Sequence, residues 1–480
     1  MRLAAKQLSI FLLCAVFLLC LYRAATQSFT IDESFTFLHY VNVSFSQAIS
    51  EYSSNNHVLQ SLLMRVFRRL LGRSELVMRL PTLIGCVLYL TAVYGITSAS
   101  IRNGWLRLLA LAVMTLNPLV LDLLVAARGY ALALGLSWWA LYLAWSDLAE
   151  PKPRRLWLAG VCAGLAVTAN LIFVIPLAAL GLMLMPLYAR RGRFWHLIDS
   201  YAGPATIICF VLLFIPLLKS AGQFYFGVAT LRDTFGSLLG ESLRQPPAGS
   251  FVFDNLDRMI PDLSGHLAAV VAPLVIACMA VAAVWLLVLS TRGANADTVL
   301  LALILGCLAS SVGCWIVLNR MFAVVYPMTR TALYLLPLAG FAIVLSASVL
   351  RWRVASGALA LAAAGLVVIY AGEIRTGYFS EWKHEAGMKR LMRQLAYDAR
   401  ELHKIRPVTA GGSWDLEYSV RYYGIRYRLG WLNVLNSEER KSIQPDYYVL
   451  GPADTKLVDE LHLTVIAKDE LSGTVLARRS

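Results

Sequence analysis

The sequence has few charged residues and is poorest in acidic ones. Only 15% of its 480 residues are charged, and 29 aspartates and glutamates stand against 43 lysines and arginines. Soluble domains carry about 25% charged residues, so this composition excludes an ordinary soluble protein. All eight cysteines lie inside apolar runs, which excludes a disulfide framework in an exposed loop and leaves no metal-ligand spacing.

Several common catalytic motifs are also missing. The chain has no GxSxG, no HExxH and no Asp-x-Asp on a soluble loop. The stretch Gly411-Gly412-Ser413 lacks both the six-residue frame and the lysine of a P-loop. These absences argue against a soluble nucleotide substrate and against the hydrolase and metalloprotease chemistries that such motifs carry.

Apolar sequence takes the place of the missing charge. Hydrophobic residues make up 58% of the chain, and its mean hydropathy is +0.63. A spanning helix needs about 20 mainly apolar residues, and we count about eleven such runs. They lie at approximately 7–25, 80–98, 106–125, 130–147, 156–173, 174–189, 201–218, 267–290, 298–318, 331–349 and 354–373. The sequence therefore predicts an α-helical polytopic membrane protein, in which the division of 156–189 rests on a polar break near Asn170 and on Pro176.

Basic residues in the short loops predict the orientation. The formal net charge is +14, and arginines such as Arg107, Arg154, Arg191 and Arg351 fall in loops on one side of the predicted membrane. This bias predicts a cytoplasmic N-terminus in a plasma membrane, by expectation a bacterial inner membrane, and no nucleic-acid partner. The first run could instead be a cleaved signal peptide, but cleavage would leave the remaining loop charges on the wrong sides.

The chain divides into two predicted domains. Residues 1–373 form a transmembrane domain with long outer loops at 26–79 and 219–265, and residues 374–480 form a small α/β domain on the outer, periplasmic side. Within the first loop, 58–71 has an apolar helical stripe with arginines largely on the other side. Such a helix lies in the membrane interface, where its basic face meets the phosphates of bulk lipid or of a specific ligand.

An acidic pair, Asp32-Glu33, directly follows the first apolar run. Carboxylates at the edge of a membrane are costly unless they meet water, a cation or a partner. The pair is therefore either an acidic cap on a helix end or part of a functional site. The predicted topology bears on this choice, because it places other polar clusters on the same side.

Three further clusters share that outer side at similar depth. They are Asn56-His57 within the polar stretch 53–57, Arg128-Gly129-Tyr130, and Arg330 before the tenth predicted span. Their common placement favours a shared outward cavity. Asp122, in the outer half of the third predicted span, is either a second acid of this site or a buried partner of Arg128.

The residue types in these clusters suit group transfer from an anionic lipid carrier. A carboxylate can accept a proton from an acceptor hydroxyl. Guanidinium groups bind a phosphate and stabilise it as it becomes a leaving group. A lipid-linked donor explains why the site lies at the depth of the bilayer interface.

At these residues the chain resembles a known class of proteins. The segments DE after span one, NNHVLQSLL, GRSELVMRLPTLIG, NP…ARGYAL, YPMTRTALYLLPL and EWK follow one another in this order. Their order and side resemble the integral-membrane glycosyltransferases of the GT-C class, near the bacterial branch of the protein O-mannosyltransferases and the lipid A aminoarabinose transferase. The resemblance covers most of the chain and is strongest over about 25–145.

The resemblance implies a role for each candidate residue. Asp32 would be the catalytic base, with Glu33 in support, and Arg128 and Tyr130 would lie near the donor phosphate. Arg330 matches an arginine before a late span. Acceptor-side or supporting roles then fall to Asn56, His57 and Asp122.

Two departures from the family pattern limit what carries over. Ala126 stands where many relatives have a glutamate, and His57 is followed by Val58-Leu59 rather than by two prolines. Because of these departures, a metal role or a second acid does not carry over from the relatives. A divalent metal is possible, but ligand spacing does not indicate one, and no other cofactor is expected.

We expect a membrane glycosyltransferase that moves a sugar from a polyprenyl-phosphate carrier to a hydroxyl of a glycan, lipid or protein acceptor, by direct inverting displacement. Two alternatives stay open at this point. One is a transporter or flippase for a lipid-linked saccharide, and the other is a non-catalytic envelope assembly protein.

Overall fold

The chain folds into a largely helical body followed by a small sheet. A computed structural model describes residues 2–50, 53–219, 226–243, 277, 280–285, 288, 295–436 and 438–479. Its α-helices in the first half are α1 (Arg2–Thr26), α2 (Ile31–Thr36), α3 (Phe45–Ser50), α4 (Val58–Leu71), α5 (Glu75–Ser100), α6 (Gly104–Thr115), α7 (Pro118–Leu123), α8 (Tyr130–Ala149), α9 (Pro153–Ala169), α10 (Val174–Arg190), α11 (Phe194–Leu197) and α12 (Gly203–Leu218). Those that follow are α13 (Leu231–Leu243), α14 (Ala296–Phe322), α15 (Leu335–Val349), α16 (Arg353–Gly372), α17 (Met388–Asp398), α18 (Glu417–Arg426), α19 (Glu439–Ser442) and α20 (Leu457–Glu460).

The helices are those of an integral membrane protein. Among the described residues, six helical segments are long and apolar enough to cross a membrane, and α6 and α15 are shorter apolar helices. The six segments are Leu3–Thr26, Glu75–Ser100, Leu171–Arg190, Phe194–Leu218, Ala296–Phe322 and Arg353–Gly372. The count of eleven spans and the side of each terminus stay predictions. Most of the predicted span 267–290, and the parts of the outer loop 219–265 on either side of 226–243, lie outside the described residues.

Two polar breaks in the apolar sequence end helices. The helix α9 ends at Ala169, and the Asn170 side chain caps a short 3₁₀ turn before α10, as the predicted division required. The continuous span predicted at 106–125 is wrong. The helix α6 ends at Thr115, and Asn117 Oδ1 accepts a hydrogen bond from the backbone N–H of Val120 at 3.2 Å to start α7. An asparagine cap followed by proline in the first turn is a strong helix start.

A close helix crossing fixes where α8 begins. The helices α5 and α8 pack along each other, with Gly85 and Gly135 at the contact. A Cβ added at Gly85 would overlap the backbone of Leu132, so the two backbones touch where a larger side chain would separate them. This packing fixes the start of α8 against α5, and with it the position of the preceding loop 126–129, which contains Arg128.

The C-terminal sheet has five strands in the order β2-β1-β3-β5-β4. They are β1 (Val408–Gly412), β2 (Leu432–Val434), β3 (Tyr447–Leu450), β4 (Thr464–Lys468) and β5 (Val475–Arg478). β1 pairs in parallel with β2 and β3, while β5 runs antiparallel to β3 and β4. The predicted α/β character of this region is confirmed.

The sheet domain shares a hydrophobic core with the first outer loop. Phe29, Phe37 and Met64 of the loop region belong to the same buried cluster as Met388 and Tyr422. The Phe29 and Tyr422 rings stack with their centroids 4.3 Å apart. Because apolar burial stabilises both sides at once, the loop and the sheet domain are held as one layer over the helical body. We call it the outer layer, after the side that the sequence predicts for it.

A buried ion pair anchors this outer layer to the helices. Arg79 and Glu33 are both fully buried, and the Arg79 guanidinium donates to the two Glu33 oxygens at 2.8 and 2.6 Å. It also donates to the backbone carbonyls of Gln27 and Ser28, beyond the end of α1. One side chain of α5 therefore fixes the chain between α1 and α2.

Glu33 in turn determines where its neighbours lie. Its oxygens accept hydrogen bonds from the backbone N–H of Thr30 at 2.9 Å, in a capping box that starts α2, and from that of Ala127 at 2.7 Å. The Glu33 carboxylate is thus occupied by the Arg79 guanidinium and by two backbone N–H groups. Its support of Asp32 is positional, since it holds both α2 and the residue before Arg128.

We expect Glu33→Gln to destabilise the protein by about 3–5 kcal/mol, because it leaves the buried Arg79 charge without its counter-ion. Thermal unfolding of purified protein in detergent, followed by tryptophan fluorescence, measures the loss. The matched control is Glu150→Gln, which removes an exposed pair with Lys152 and should change stability by less than about 1 kcal/mol. Equal melting temperatures for the two variants would contradict the anchoring role.

Candidate functional site

Asp32 is the centre of a buried polar cluster. It sits in the first turn of α2, whose start is set by the Thr30 cap. Arg330 and Arg128 each bring a guanidinium nitrogen to Asp32 Oδ2, at 3.1 and 3.7 Å. The Asn55 amide donates to Asp32 Oδ1 at 3.2 Å. Two cations and an amide from three distant parts of the sequence therefore converge on one carboxylate.

Arg128 has bonding capacity left over. Its Nη2 donates to Asn55 Oδ1 at 2.7 Å, while its Nε and Nη1 are buried and have no hydrogen-bond partner in the described part of the chain. A buried guanidinium with unused N–H groups is costly unless a ligand completes it. Gly129 follows with a φ of +71°, and a Cβ there would overlap the Ala169 carbonyl and crowd His57. The glycine thus lets the loop turn directly into α8.

Arg330 lies between two carboxylates and two aromatic rings. Besides Asp32 it pairs with Glu381, with 2.5 Å between Nη1 and Oε1. Its guanidinium carbon lies 4.8 Å from the centroid of the Phe226 ring and 5.2 Å from that of Trp382, a cation–π arrangement. The preceding Thr329 has a φ of 42°, an uncommon conformation for this residue type. The backbone is therefore held in an unfavourable state at the point where it presents this arginine.

The segment 376–385, after the last apolar helix, closes one side of the cluster. Asp122 pairs with Arg23, at 2.5 Å, and its second oxygen accepts the backbone N–H of Ser380 at 2.8 Å. Arg23 also donates to the carbonyl of Tyr378 at 3.1 Å. The expected pairing of Asp122 with Arg128 is wrong, because the short helix α7 directs Asp122 toward α1. Asp122 holds the segment that delivers Glu381 and does not contact the other acids.

Glu385 ties the same segment to the helix that carries Asp32. One Glu385 oxygen accepts the backbone N–H of Ile31, the first residue of α2, at 2.6 Å, and the other accepts the Ser419 hydroxyl at 2.5 Å. Burial raises the pKa of Glu385 well above its ordinary value, and the nearby charges of Asp32 and Glu33 raise it further. The start of α2 is thus fixed by a group of the outer layer.

The charges of the cluster set the protonation of its members. Burial by itself would raise the pKa of Asp32, but Arg128, Arg330 and the Asn55 hydrogen bond outweigh it and hold that pKa below the ordinary value of 3.8. Burial, and then the charges of the two arginines, hold the pKa of His57 well below its ordinary value. At neutral pH the site therefore has an ionised Asp32 and a neutral His57.

A cavity of about 270 Å³ opens beside the cluster. Asn56, His57 and Tyr130 line it, with Phe226 from the arginine cluster on the same wall. The His57 and Tyr130 rings meet edge to face, 5.5 Å between centroids, and His57 Nε2 is buried without a partner among the described residues. Most of the other lining residues are apolar, so the cavity offers a few neutral hydrogen-bonding groups and aromatic faces within a mainly apolar wall.

An apolar groove of about 660 Å³ continues from this cavity. Val174 and Ile175 line both spaces, and the groove runs between α9, α10 and α12 past residues such as Leu182 and Met185. Both of these side chains are exposed in the protein, as is Val174. The polar cluster is thus connected to a long apolar surface on the spanning helices.

The structure brings together most of the residues that the sequence indicated. Asp32, Arg128 and Arg330 meet directly, while Asn56, His57 and Tyr130 line the adjoining cavity. Glu33 and Asp122 lie outside this cluster, and their carboxylates hold backbone segments that carry its members. Arg320, ten residues before Arg330 near the end of α14, is exposed.

Sequence reasoning assigned no role to Asn55, Glu381 or Trp382. For Glu381 and Trp382 the only signal in the sequence was their place in the segment EWK, the last of the ordered series of segments. In the described ranges, no three His, Cys, Asp or Glu side chains are grouped as a metal-binding set. Metal dependence stays a sequence-based possibility, and no step below depends on it.

No protein-family model and no curated protein matches the chain. Among solved structures it is similar to ArnT from Cupriavidus metallidurans bound to undecaprenyl phosphate, with 14% identity and a TM-score of 0.48 over 98% of each chain. It is also similar to the archaeal oligosaccharyltransferase AglB from Archaeoglobus fulgidus in complex with an inhibitory peptide and a dolichol-phosphate, with 11% identity and a TM-score of 0.48 over 99% of this chain and 74% of the other. A third is the arabinofuranosyltransferase AftD from Mycobacteria, with 14% identity and a TM-score of 0.40 over 100% of this chain and 40% of the other. These neighbours are glycosyltransferases of the GT-C class, which the order of the sequence segments resembles. The likeness is too remote to assign a function, which has to come from the site itself.

Proposed function

We propose that this protein is a membrane glycosyltransferase that moves a sugar from a polyprenyl-phosphate carrier to an acceptor hydroxyl. One observation carries the proposal. Arg128 and Arg330 converge on the buried Asp32, and Arg128 keeps two buried N–H groups without a partner. In this proposal it is a carboxylate base beside an incomplete anion site, next to a cavity that leads into an apolar groove.

The anion that fits this site is the phosphate of the donor. Guanidinium groups bind phosphate oxygens through short, charge-assisted hydrogen bonds. Arg330 is held by Glu381 and by the rings of Phe226 and Trp382, so it is preorganised for the charge that develops on the leaving group. Glu381 serves in this proposal as the residue that positions Arg330.

The apolar groove fits the carrier chain. It joins the cavity beside the Asp32 cluster through Val174 and Ile175 and then follows the spanning helices. A polyprenyl chain could therefore lie against the helices while its phosphate reaches Arg128. A soluble donor would have no use for an apolar groove that joins the cavity beside the arginines.

The cavity lined by Asn56, His57 and Tyr130 fits a single sugar unit. Small-molecule sites usually have volumes of roughly 300–1,000 Å³, so the cavity of about 270 Å³ is at the small end. Asn56, His57 and Tyr130 offer uncharged polar groups and ring faces. A neutral His57 can hydrogen-bond a sugar hydroxyl without adding charge at the reacting carbon.

The reaction we infer is a direct displacement with inversion. The acceptor oxygen attacks the anomeric carbon, the bond between that carbon and the phosphate oxygen breaks, and the acceptor proton passes to Asp32. The bonding electrons leave with the polyprenyl phosphate. When Asp32 becomes neutral, its attraction for Arg128 and Arg330 falls, which leaves both cations to stabilise the departing phosphate.

We expect Asp32→Asn to lower the rate of sugar transfer by about 100- to 10,000-fold, the range for the loss of a general base. The measurement is transfer of radiolabelled sugar from a panel of undecaprenyl-phosphate monosaccharides to native acceptors in membranes. Binding of undecaprenyl phosphate should persist in this variant, because both arginines remain.

The matched control is Glu401→Gln, which removes an exposed carboxylate of the outer layer that pairs with Lys404. It should leave the transfer rate unchanged. Transfer by Asp32→Asn at the wild-type rate and equal expression would reject Asp32 as the base.

Arg330→Gln should change the pH dependence of transfer. In the wild type, activity should stay level from neutral pH down to about the ordinary range for aspartate, because the lowered pKa keeps Asp32 ionised. Removing the Arg330 charge should move the acid limb of kcat/KM to higher pH, since the neighbouring cation no longer favours the charged form of Asp32.

The control for this profile is Arg320→Gln, an equal change in net charge at an exposed position of α14. Its acid limb should coincide with that of the wild type. A limb that does not move in Arg330→Gln would show that Asp32 does not control the profile.

A further inference from the structure

A second basic site lies on the outer layer, apart from the Asp32 cluster. A groove of about 570 Å³ runs between the end of α4 and the sheet domain, lined by Arg73, Arg421 and Arg428. No acidic side chain is among its lining residues. Arg73 belongs to the first outer loop, whereas Arg421 and Arg428 come from α18 and the turn after it.

The charges of this groove are only partly compensated. Arg421 pairs with Glu417 at 3.0 Å. For Arg73 and Arg428, no ion pair of the side chain is found in the part of the chain described here. Burial, and then the charges of Arg73 and Arg69, lower the pKa of Arg68 on the adjoining helix. Folding has thus assembled like charges that repel one another, which an anionic ligand would relieve.

The backbone at Arg428 is an independent sign of function. Its φ is 60°, and it follows the end of α18 at a place where glycine or asparagine is usual. Two backbone bonds hold the turn, from Arg428 N–H to Ile425 and from Leu429 N–H to Gly424, at 3.2 and 2.9 Å. A cation suits the C-terminal end of a helix, but Arg426 already fills that position in the last turn. An arginine in place of the usual glycine or asparagine is uncommon at this position, which is consistent with a role for its side chain.

The groove lies beside an apolar edge. Val66, Leu70 and Leu71 of α4 are more than half exposed, at 51, 72 and 60%. Arg73 follows this edge by two residues. An amphipathic helix of this kind lies in the membrane interface, with its apolar residues in lipid and its arginines at the height of phosphates.

We propose that the groove of Arg73, Arg421 and Arg428 binds the phosphate headgroup of an anionic amphiphile, at a site separate from Arg128. The headgroup belongs either to a lipid of the surrounding bilayer or to an acceptor that bears a phosphate. Because Arg73 and Arg428 come from different parts of the outer layer, a phosphate between them would also fasten the first loop to the sheet domain. The phosphate site does not depend on the proposed glycosyl transfer, and only its second source, the acceptor, rests on that function.

The test uses the full chain in a neutral detergent, with dodecyl phosphate as the probe and native mass spectrometry as the readout. Wild-type protein should bind two dodecyl phosphates, one at Arg128 and one in the groove. Arg73→Gln and Arg428→Gln should each weaken the groove site about tenfold or more, the loss expected for a charge-assisted bond, and the double variant should bind one. Arg69→Gln, an exposed arginine of α4 outside the groove, is the matched control and should bind two.

The count of bound probe separates this proposal from the proposed function. Arg330→Gln should remove the other dodecyl phosphate, so a failure at either site is seen independently of the other. Arg428→Gly removes charge and strain together, so it should weaken binding while the melting temperature holds or rises. Unchanged binding in the double variant, or an equal loss in Arg69→Gln, would overturn the proposal.

Two further arms identify the source of the headgroup. Competition by inorganic phosphate would indicate a site that takes a phosphate group by itself, as on an acceptor. Retention of phosphatidylglycerol from nanodiscs without such competition would indicate a bilayer lipid. Either result supports the groove as a phosphate site, and failure of both probes to bind would overturn it.

Discussion

The buried pair of Glu33 and Arg79 is the interaction on which the rest of the site depends. Arg79 holds the chain between α1 and α2, and Glu33 holds the start of α2 and the backbone of Ala127. Asp32 precedes Glu33 and Arg128 follows Ala127, so one ion pair sets the separation of the proposed base from the proposed phosphate ligand. A buried pair is costly to desolvate, and this one gains many hydrogen bonds in return.

The outer layer contributes as much to the site as the helical body does. Glu381 and Trp382 pack on Arg330, and Glu385 caps the helix of Asp32. These residues lie between the last apolar helix and the sheet, in a segment that the Arg23–Asp122 pair holds in place. Residues just after the boundary predicted at 373 therefore contact Arg330 and the start of α2, so both predicted domains contribute to the cluster around Asp32.

The sequence indicated which residues meet at the site better than it indicated their partners. Asp32, Arg128 and Arg330 could be grouped because each follows or precedes an apolar run, and membrane topology leaves few places for such residues. The partner of Asp122 was misjudged because Arg128 is only six positions away, whereas the helix break at Asn117 turns Asp122 toward Arg23. Glu381 also follows an apolar run, at 354–373, but no sequence pattern links it to Arg330, so the pair is seen only in the tertiary structure.

The position of the segment 376–385 has a consequence for biosynthesis. Because it supplies Glu381, Trp382 and Glu385, the cluster around Asp32 cannot be complete when the last apolar helix enters the membrane. A nascent chain that has inserted all of its helices still presents Arg330 without its second carboxylate and α2 without its Glu385 cap. The cluster should therefore be complete only after residues 376–385 have been synthesised and have folded against the first loop.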